Sequence, residues 1–202
     1  MVEFGFWETL AIVIAPVITG AIATHYLTQG WQKYQLKIKL KQEVLELFLI
    51  SGKRSYVIQD MFSRKLAQHY GRAELPMNKK THDIIYLFDE FPKGESEQPA
   101  VVFKDEFENF HTELQEIRFN GENLISKLRL YYKNETLEVD YEKIRSQSGI
   151  CAQQIRKSVN ATTRDEFLVG INNFHEESKE LINLIKNFEQ EIIEEKITDI
   201  NV

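Results

Sequence analysis

Residues 9–32 read TLAIVIAPVITGAIATHYLTQGWQ, a run with no Asp, Glu, Lys or Arg. Its most apolar part, Thr9 to Leu27, would rise roughly 28 Å as a helix. That is close to the roughly 30 Å hydrocarbon core of a bilayer. The reading that follows is one N-terminal transmembrane helix within residues 1–32 and a cytosolic helical bundle over residues 33–202. Pro16 sits mid-run, and Thr19, Thr24 and His25 dilute it. The competing reading is therefore an apolar helix buried in a bundle.

The flanks favour the membrane. Trp7 precedes the run, and Tyr26, Trp31 and Tyr34 mark its other end, as an aromatic belt would. Glu3 and Glu8 come before it, whereas Lys33, Lys37, Lys39 and Lys41 follow it. The positive-inside rule then puts the N-terminus outside the inner (plasma) membrane and the C-terminal domain in the cytoplasm. The four lysines are the expected membrane-surface residues, because anionic headgroups attract cations near the interface. An acidic segment before the run does not suit a cleaved signal peptide, so an uncleaved anchor is expected. Ala11, Ala15, Thr19 and Ala23 recur every four residues along one face. Small side chains there would let helix backbones approach closely in lipid, which makes these four the oligomerisation candidates.

Beyond the run the pattern is helical throughout. Leu36, Leu40, Val44, Leu47 and Phe48 keep helical spacing. The run and this segment read as one long helix that bends at Gly30 or at Ser51-Gly52 and ends near Tyr70. A short helix is expected over residues 79–91 and a loop over 92–99. Phe103, Phe107, Phe110, Leu114, Ile117, Leu124, Leu128 and Tyr131 then form a heptad seam interrupted at Gly121. Asn120-Gly121 predicts either a kink or a turn between two helices. After a connection at 132–135, Leu137, Tyr141, Ile144, Cys151 and Ile155 form a second seam, with Ser148 in one slot. Thr163 and Glu166 have capping-box spacing. The last seam is Phe167, Ile171, Phe174, Leu181, Ile185, Phe188 and Ile192, with Ser178 as its polar member. No stretch alternates with the period of a strand. The fold class is all-α, with long helices packed as a bundle.

The chain has 202 residues and a formal charge of −6. Residues 31–65 carry a net charge of +5 and residues 66–202 a net charge of −9. That acidic remainder argues against broad nucleic-acid binding. With Cys151 as its single cysteine, the chain can form neither an internal disulfide nor a thiolate metal cluster. Glu108 and His111 form half of a carboxylate-bridged di-iron unit, but His175 follows Asn172 and supplies no second half. His82-Asp83 matches the doublet of HD phosphohydrolases without further ligands. No phosphate-binding loop or nucleophile elbow is present. No cofactor is expected.

Arg64 and His69 have the R-x4-H spacing of HEPN-type ribonucleases, in which Arg stabilises phosphate charge and His handles a proton. These two residues and the single-span architecture resemble small membrane effectors of bacterial phage defence. The comparison is with the accessory membrane protein of type VI-B CRISPR systems. The resemblance implies an HEPN-like helical domain, assembly in the membrane into a pore, and no need for nuclease chemistry. The expected partners are the lipid bilayer, further copies of the chain and a cytoplasmic protein sensor. Two alternatives are a membrane-tethered scaffold that recruits a partner and a tethered HEPN-like ribonuclease with Arg64 and His69 as catalytic residues.

Overall fold

A computed structural model describes residues 5–70, 98–131 and 135–194, with the side chains of residues 6–13 and 131 outside that description. The expected short helix at 79–91, most of the expected loop at 92–99, the His82-Asp83 pair and most of the connection after Tyr131 lie outside the described residues. So do Glu3 and the side chains of Trp7, Glu8 and Ala11.

Every regular element among the described residues is helical: α1 (Phe6–Phe48), a π-helical turn (Leu49–Lys53), α2 (Arg54–Tyr70), α3 (Pro99–Val102), α4 (Lys104–Tyr131), α5 (Glu135–Val159) and α6 (Arg164–Ile193). The residues fall into two compact units, which divide inside α1 between Gln42 and Glu43.

In the first unit α1 runs unbroken through Pro16 and Gly30. A proline removes one backbone hydrogen bond and often kinks a helix, yet here it does not end it. Among the described residues no helix is long and apolar enough to cross a membrane. The spanning helix expected within residues 1–32 is thus not among the findings. Residues 6–13, part of the uncharged run, are described by their backbone only.

The second unit is the bundle. Its most extensive packing joins α5 to α6, which run antiparallel from the short connection at 160–163. The capping expectation holds with one refinement. Thr163 caps α6 by accepting from the Glu166 N–H at 3.2 Å, and the Glu166 carboxylate reaches back to the N–H and hydroxyl of Thr162, both at 2.9 Å. These bonds hold the Glu166 carboxyl below the usual carboxylate range.

The seams are the core. All seven apolar seam residues of α6 are buried, as are Leu137, Tyr141, Ile144, Cys151 and Ile155 of α5. Phe48 meets Phe188 with ring centroids 4.6 Å apart, and Phe62 stacks on Phe110 at 4.7 Å. Such pairs add about 0.5–1.5 kcal/mol each to simple burial. Burial also pushes the Cys151 thiol up to about 12.

Two expectations about breaks resolve differently. The predicted bend at Ser51-Gly52 is a π turn, and both residues are buried in it. Asn120-Gly121 does not divide the chain into two helices, because α4 continues through both. Gly121 is needed for clearance instead. A Cβ there would lie 2.5 Å from the hydroxyl oxygen of Tyr141.

His175 is buried on α6, and that burial lowers its pKa below the usual histidine range. The folded state therefore keeps the ring neutral, while the unfolded chain protonates it near its ordinary pKa of about 6.5. Stability contributed this way is full above the unfolded pKa and falls as pH drops through it towards the lower folded value. His175→Gln should flatten the fall in melting temperature between about pH 7 and pH 5.5, a window above the ordinary carboxylate range. An unchanged slope in the variant would contradict this account of His175.

Candidate functional site: an exposed apolar arm and a polar layer beneath a groove

The first site belongs to the N-terminal unit. From Ile14 to Leu36 every residue of α1 is exposed. Ile14, Val17, Ile18, Ile22 and Leu27 are among the large apolar side chains left uncovered, Val17 at 66% and Leu27 at 75% of full exposure. At 100° per residue Ile14, Val17, Ile18 and Ile22 fall within about 140° of one another as one apolar face, and Leu27 lies on the far side. An exposed apolar face on an uncharged helix is normally covered by a core, a partner or a bilayer. Fully burying such side chains is worth about 1.5–3 kcal/mol each. At their partial exposure the five together forgo roughly 4–9 kcal/mol, comparable to the whole stability of many domains.

The polar groups of this arm are handled locally. The Thr19 hydroxyl donates to the Ala15 carbonyl at 2.7 Å, and His25 pairs with Gln29 at 2.9 Å. Tyr26, Trp31 and Tyr34 are all exposed, with the Trp31 and Tyr34 rings 6.1 Å apart. Of the proposed packing stripe, Ala15, Thr19 and Ala23 are exposed. Among the basic cluster, Lys33 and Lys39 are exposed, and Lys37 and Lys41 are half-buried.

Arg64 and His69 both lie on α2. Five residues turn a helix by about 500°, which leaves the two roughly 140° apart around α2. Arg64 pairs through Nε with Asp60 at 2.8 Å, one turn earlier. The exposed His69 ring packs edge-on against Tyr70 and Phe103, with centroids 4.9 and 5.0 Å away.

The second site lies in the bundle, where the π turn and α2 bring polar groups to the base of a groove. A cavity of about 280 Å³ separates α4 from α5 there, and Ser51, Ser55 and Ser148 line it. Ser55 and Ser148 share a hydrogen bond, and the Gln59 amide donates to both serine oxygens, at 2.8 and 2.7 Å. Ser148 thus occupies its polar seam slot because α2 presents polar groups opposite it. The Gln59 carbonyl oxygen and the Ser63 hydroxyl are buried with no hydrogen-bond partner among the described residues. π turns inside α-helices occur frequently at functional sites, and this one delivers Ser51 to the cavity wall.

Sequence reasoning did not single out the groove's cations, Arg118, Arg145 and Arg156. Arg118 and Arg145 come level only once α4 and α5 pair antiparallel, and Arg156 lines the groove about three turns further along α5. The usable signal was Ser148 itself, a hydroxyl in an apolar seam flanked by arginines at −3 and +8.

No known protein family, curated protein or solved structure matches the chain.

Proposed function

We propose that the chain is a single-pass protein of the inner membrane that acts without enzymatic chemistry. Its bundle faces the cytoplasm, and copies associate through the α1 arm to form a membrane effector of the pore type, as in antiviral defence. The observation that carries this reading is the arm itself: uncharged from residue 9 to 32, exposed from Ile14 to Leu36, and bearing an uncovered apolar face at Ile14, Val17, Ile18 and Ile22. A bilayer suits such a helix, because its backbone groups bond internally except where Pro16 lacks an N–H. The lysines after the arm supply the orientation, and the Ala15–Thr19–Ala23 stripe supplies a face on which backbones can approach. A tethered scaffold shares every feature except membrane damage.

Reporter fusions and oligomer size test the proposal together. A C-terminal reporter should be active only in the cytoplasm. Ala15→Leu and Thr19→Leu should still insert, because both raise hydrophobicity, yet should shift detergent-solubilised oligomers towards monomer. Ile14→Leu and Ile18→Leu should leave oligomers unchanged. Induction of the wild type should depolarise the membrane, and Arg64→Ala/His69→Ala should depolarise it equally. Unchanged oligomers in the stripe variants would reject the packing face. Normal membrane potential under the active wild type would reject the pore and leave the scaffold. RNA cleavage lost in the Arg64/His69 variant would install the ribonuclease.

A further inference from the structure

The groove between α4 and α5 combines three elements that ordinary bundle packing does not require. Its wall is apolar and partly aromatic, with Phe107, Phe110 and Leu114 on α4. The Phe107 and His111 rings lie nearly parallel, 15° apart in plane, with centroids 6.5 Å apart. Its rim is cationic, although residues 66–202 carry a net charge of −9. The contact of Gly121 with Tyr141 sets the antiparallel register. That register places Arg118 of α4 level with Arg145 of α5.

Both guanidiniums have donors to spare. Arg118 meets Glu122 through Nε at 3.5 Å, and Arg145 meets Glu142 through Nε at 3.3 Å. Each is a single long contact to a carboxylate on the same helix. Each guanidinium has five N–H donors, so these long contacts leave donors over for a phosphate.

The third element is a hydroxyl proton. Both N–H groups of the Gln59 amide go to the serine oxygens, and one serine O–H bridges the pair. A hydroxyl has one proton to give, so the other serine's proton has no acceptor within the cluster. Ser55 is buried and Ser148 half-buried, so the unspent donor is assigned to Ser148, on the cavity side. Reversing the amide would strand two buried N–H donors in place of one carbonyl, at greater cost.

We infer that this groove binds a phosphate-bearing small molecule with a planar apolar body, the chemistry of a nucleotide. Arg118, Arg145 and Ser148 hold the phosphate, and the Phe107–His111 pair offers ring faces to the planar part. His111 lies seven residues from Arg118 along α4, roughly 10 Å of helix rise, a separation that a phosphate and a base on one sugar can bridge. The volume is near the lower end of small-molecule sites, which run from about 300 Å³. An alkyl chain would cover the rings but leave the Ser148 donor unpaired, which is costly in an apolar setting.

Calorimetric titration of the full-length protein in detergent with adenosine monophosphate, adenosine and inorganic phosphate tests this. The monophosphate should bind with sub-millimolar affinity, and adenosine and phosphate each at least about tenfold more weakly. Arg118→Ala and Arg145→Ala should each weaken the monophosphate about tenfold, as expected for a lost charge-assisted contact. Both side chains lie at the surface, and unchanged circular dichroism would confirm that the variants fold. Absence of binding at millimolar monophosphate would overturn the inference. So would equal affinity for phosphate alone, or undiminished affinity in both arginine variants.

Discussion

If the arm spans the bilayer as proposed, Ile18→Lys should move the protein from the membrane pellet to the soluble fraction. Ile18 lies near the middle of the uncharged run and is half exposed on α1. A lysine at the centre of a spanning helix costs about 2.5–3.5 kcal/mol on insertion scales, and the isoleucine's own favourable contribution is lost as well. Together these shift partitioning by a factor on the order of a few hundred. Gln32→Lys should do little, because the change falls beside Lys33 and a long side chain can reach the interface. Neither change touches the bundle's core, so helical content should be retained in both. The measurement is alkaline extraction of membranes followed by fractionation. An Ile18→Lys protein that stays in the pellet like the wild type would reject the membrane reading of the arm.

The second large effect is on stability, and two glycines should give opposite signs. At Gly170 a Cβ would lie 2.2 Å from the Ser158 hydroxyl oxygen, and 3.1 and 3.2 Å from the Ser158 backbone nitrogen and Cα. The hydroxyl donates to the Gln154 carbonyl at 3.0 Å and could rotate away, but the backbone of a fully buried residue cannot. Gly170→Ala must therefore push α5 and α6 apart along the bundle's most extensive contact. Overpacking of this kind costs about 1–3 kcal/mol. For a chain of this size each kcal/mol lowers the melting temperature by about 2–4 °C. Gly149 sits in the interior of α5, exposed, with no heavy atom within 4 Å of an added Cβ. Gly149→Ala should stabilise the protein by about 0.5–1 kcal/mol, because alanine leaves less backbone entropy to lose. Thermal unfolding followed by circular dichroism decides both. A Gly170→Ala variant as stable as the wild type would show that the helix pair can yield at Ser158.

The seams of α4, α5 and α6 were legible because burial on a helix imposes a period that survives in one sequence. Phe167, Phe174 and Leu181 are seven apart and all are buried. What the period could not convey was why its exceptions exist. Gly121 reads as a possible break, yet its role is set by the hydroxyl of Tyr141, twenty residues away. Ser148 reads as a packing irregularity, yet it faces Ser55 and Gln59 across the core. Ser178, by contrast, is met locally by the His175 carbonyl at 2.8 Å. Gly170 falls off the heptad positions and gives no periodic signal at all. The arm was legible as uncharged, but composition alone could not say whether it would be covered. The structure leaves residues 14–36 exposed.

Cys151 makes the chain its own unfolding reporter. A thiol reagent needs access and a thiolate, and this sulfur has neither while α5 and α6 stay packed. Its labelling would clock the opening of the bundle, including any opening caused by Gly170→Ala. The same inertness leaves the native cysteine in place during labelling of a second one. A cysteine placed along the arm could be modified selectively from either side of a vesicle. The full-length protein is in that sense already prepared for topology mapping.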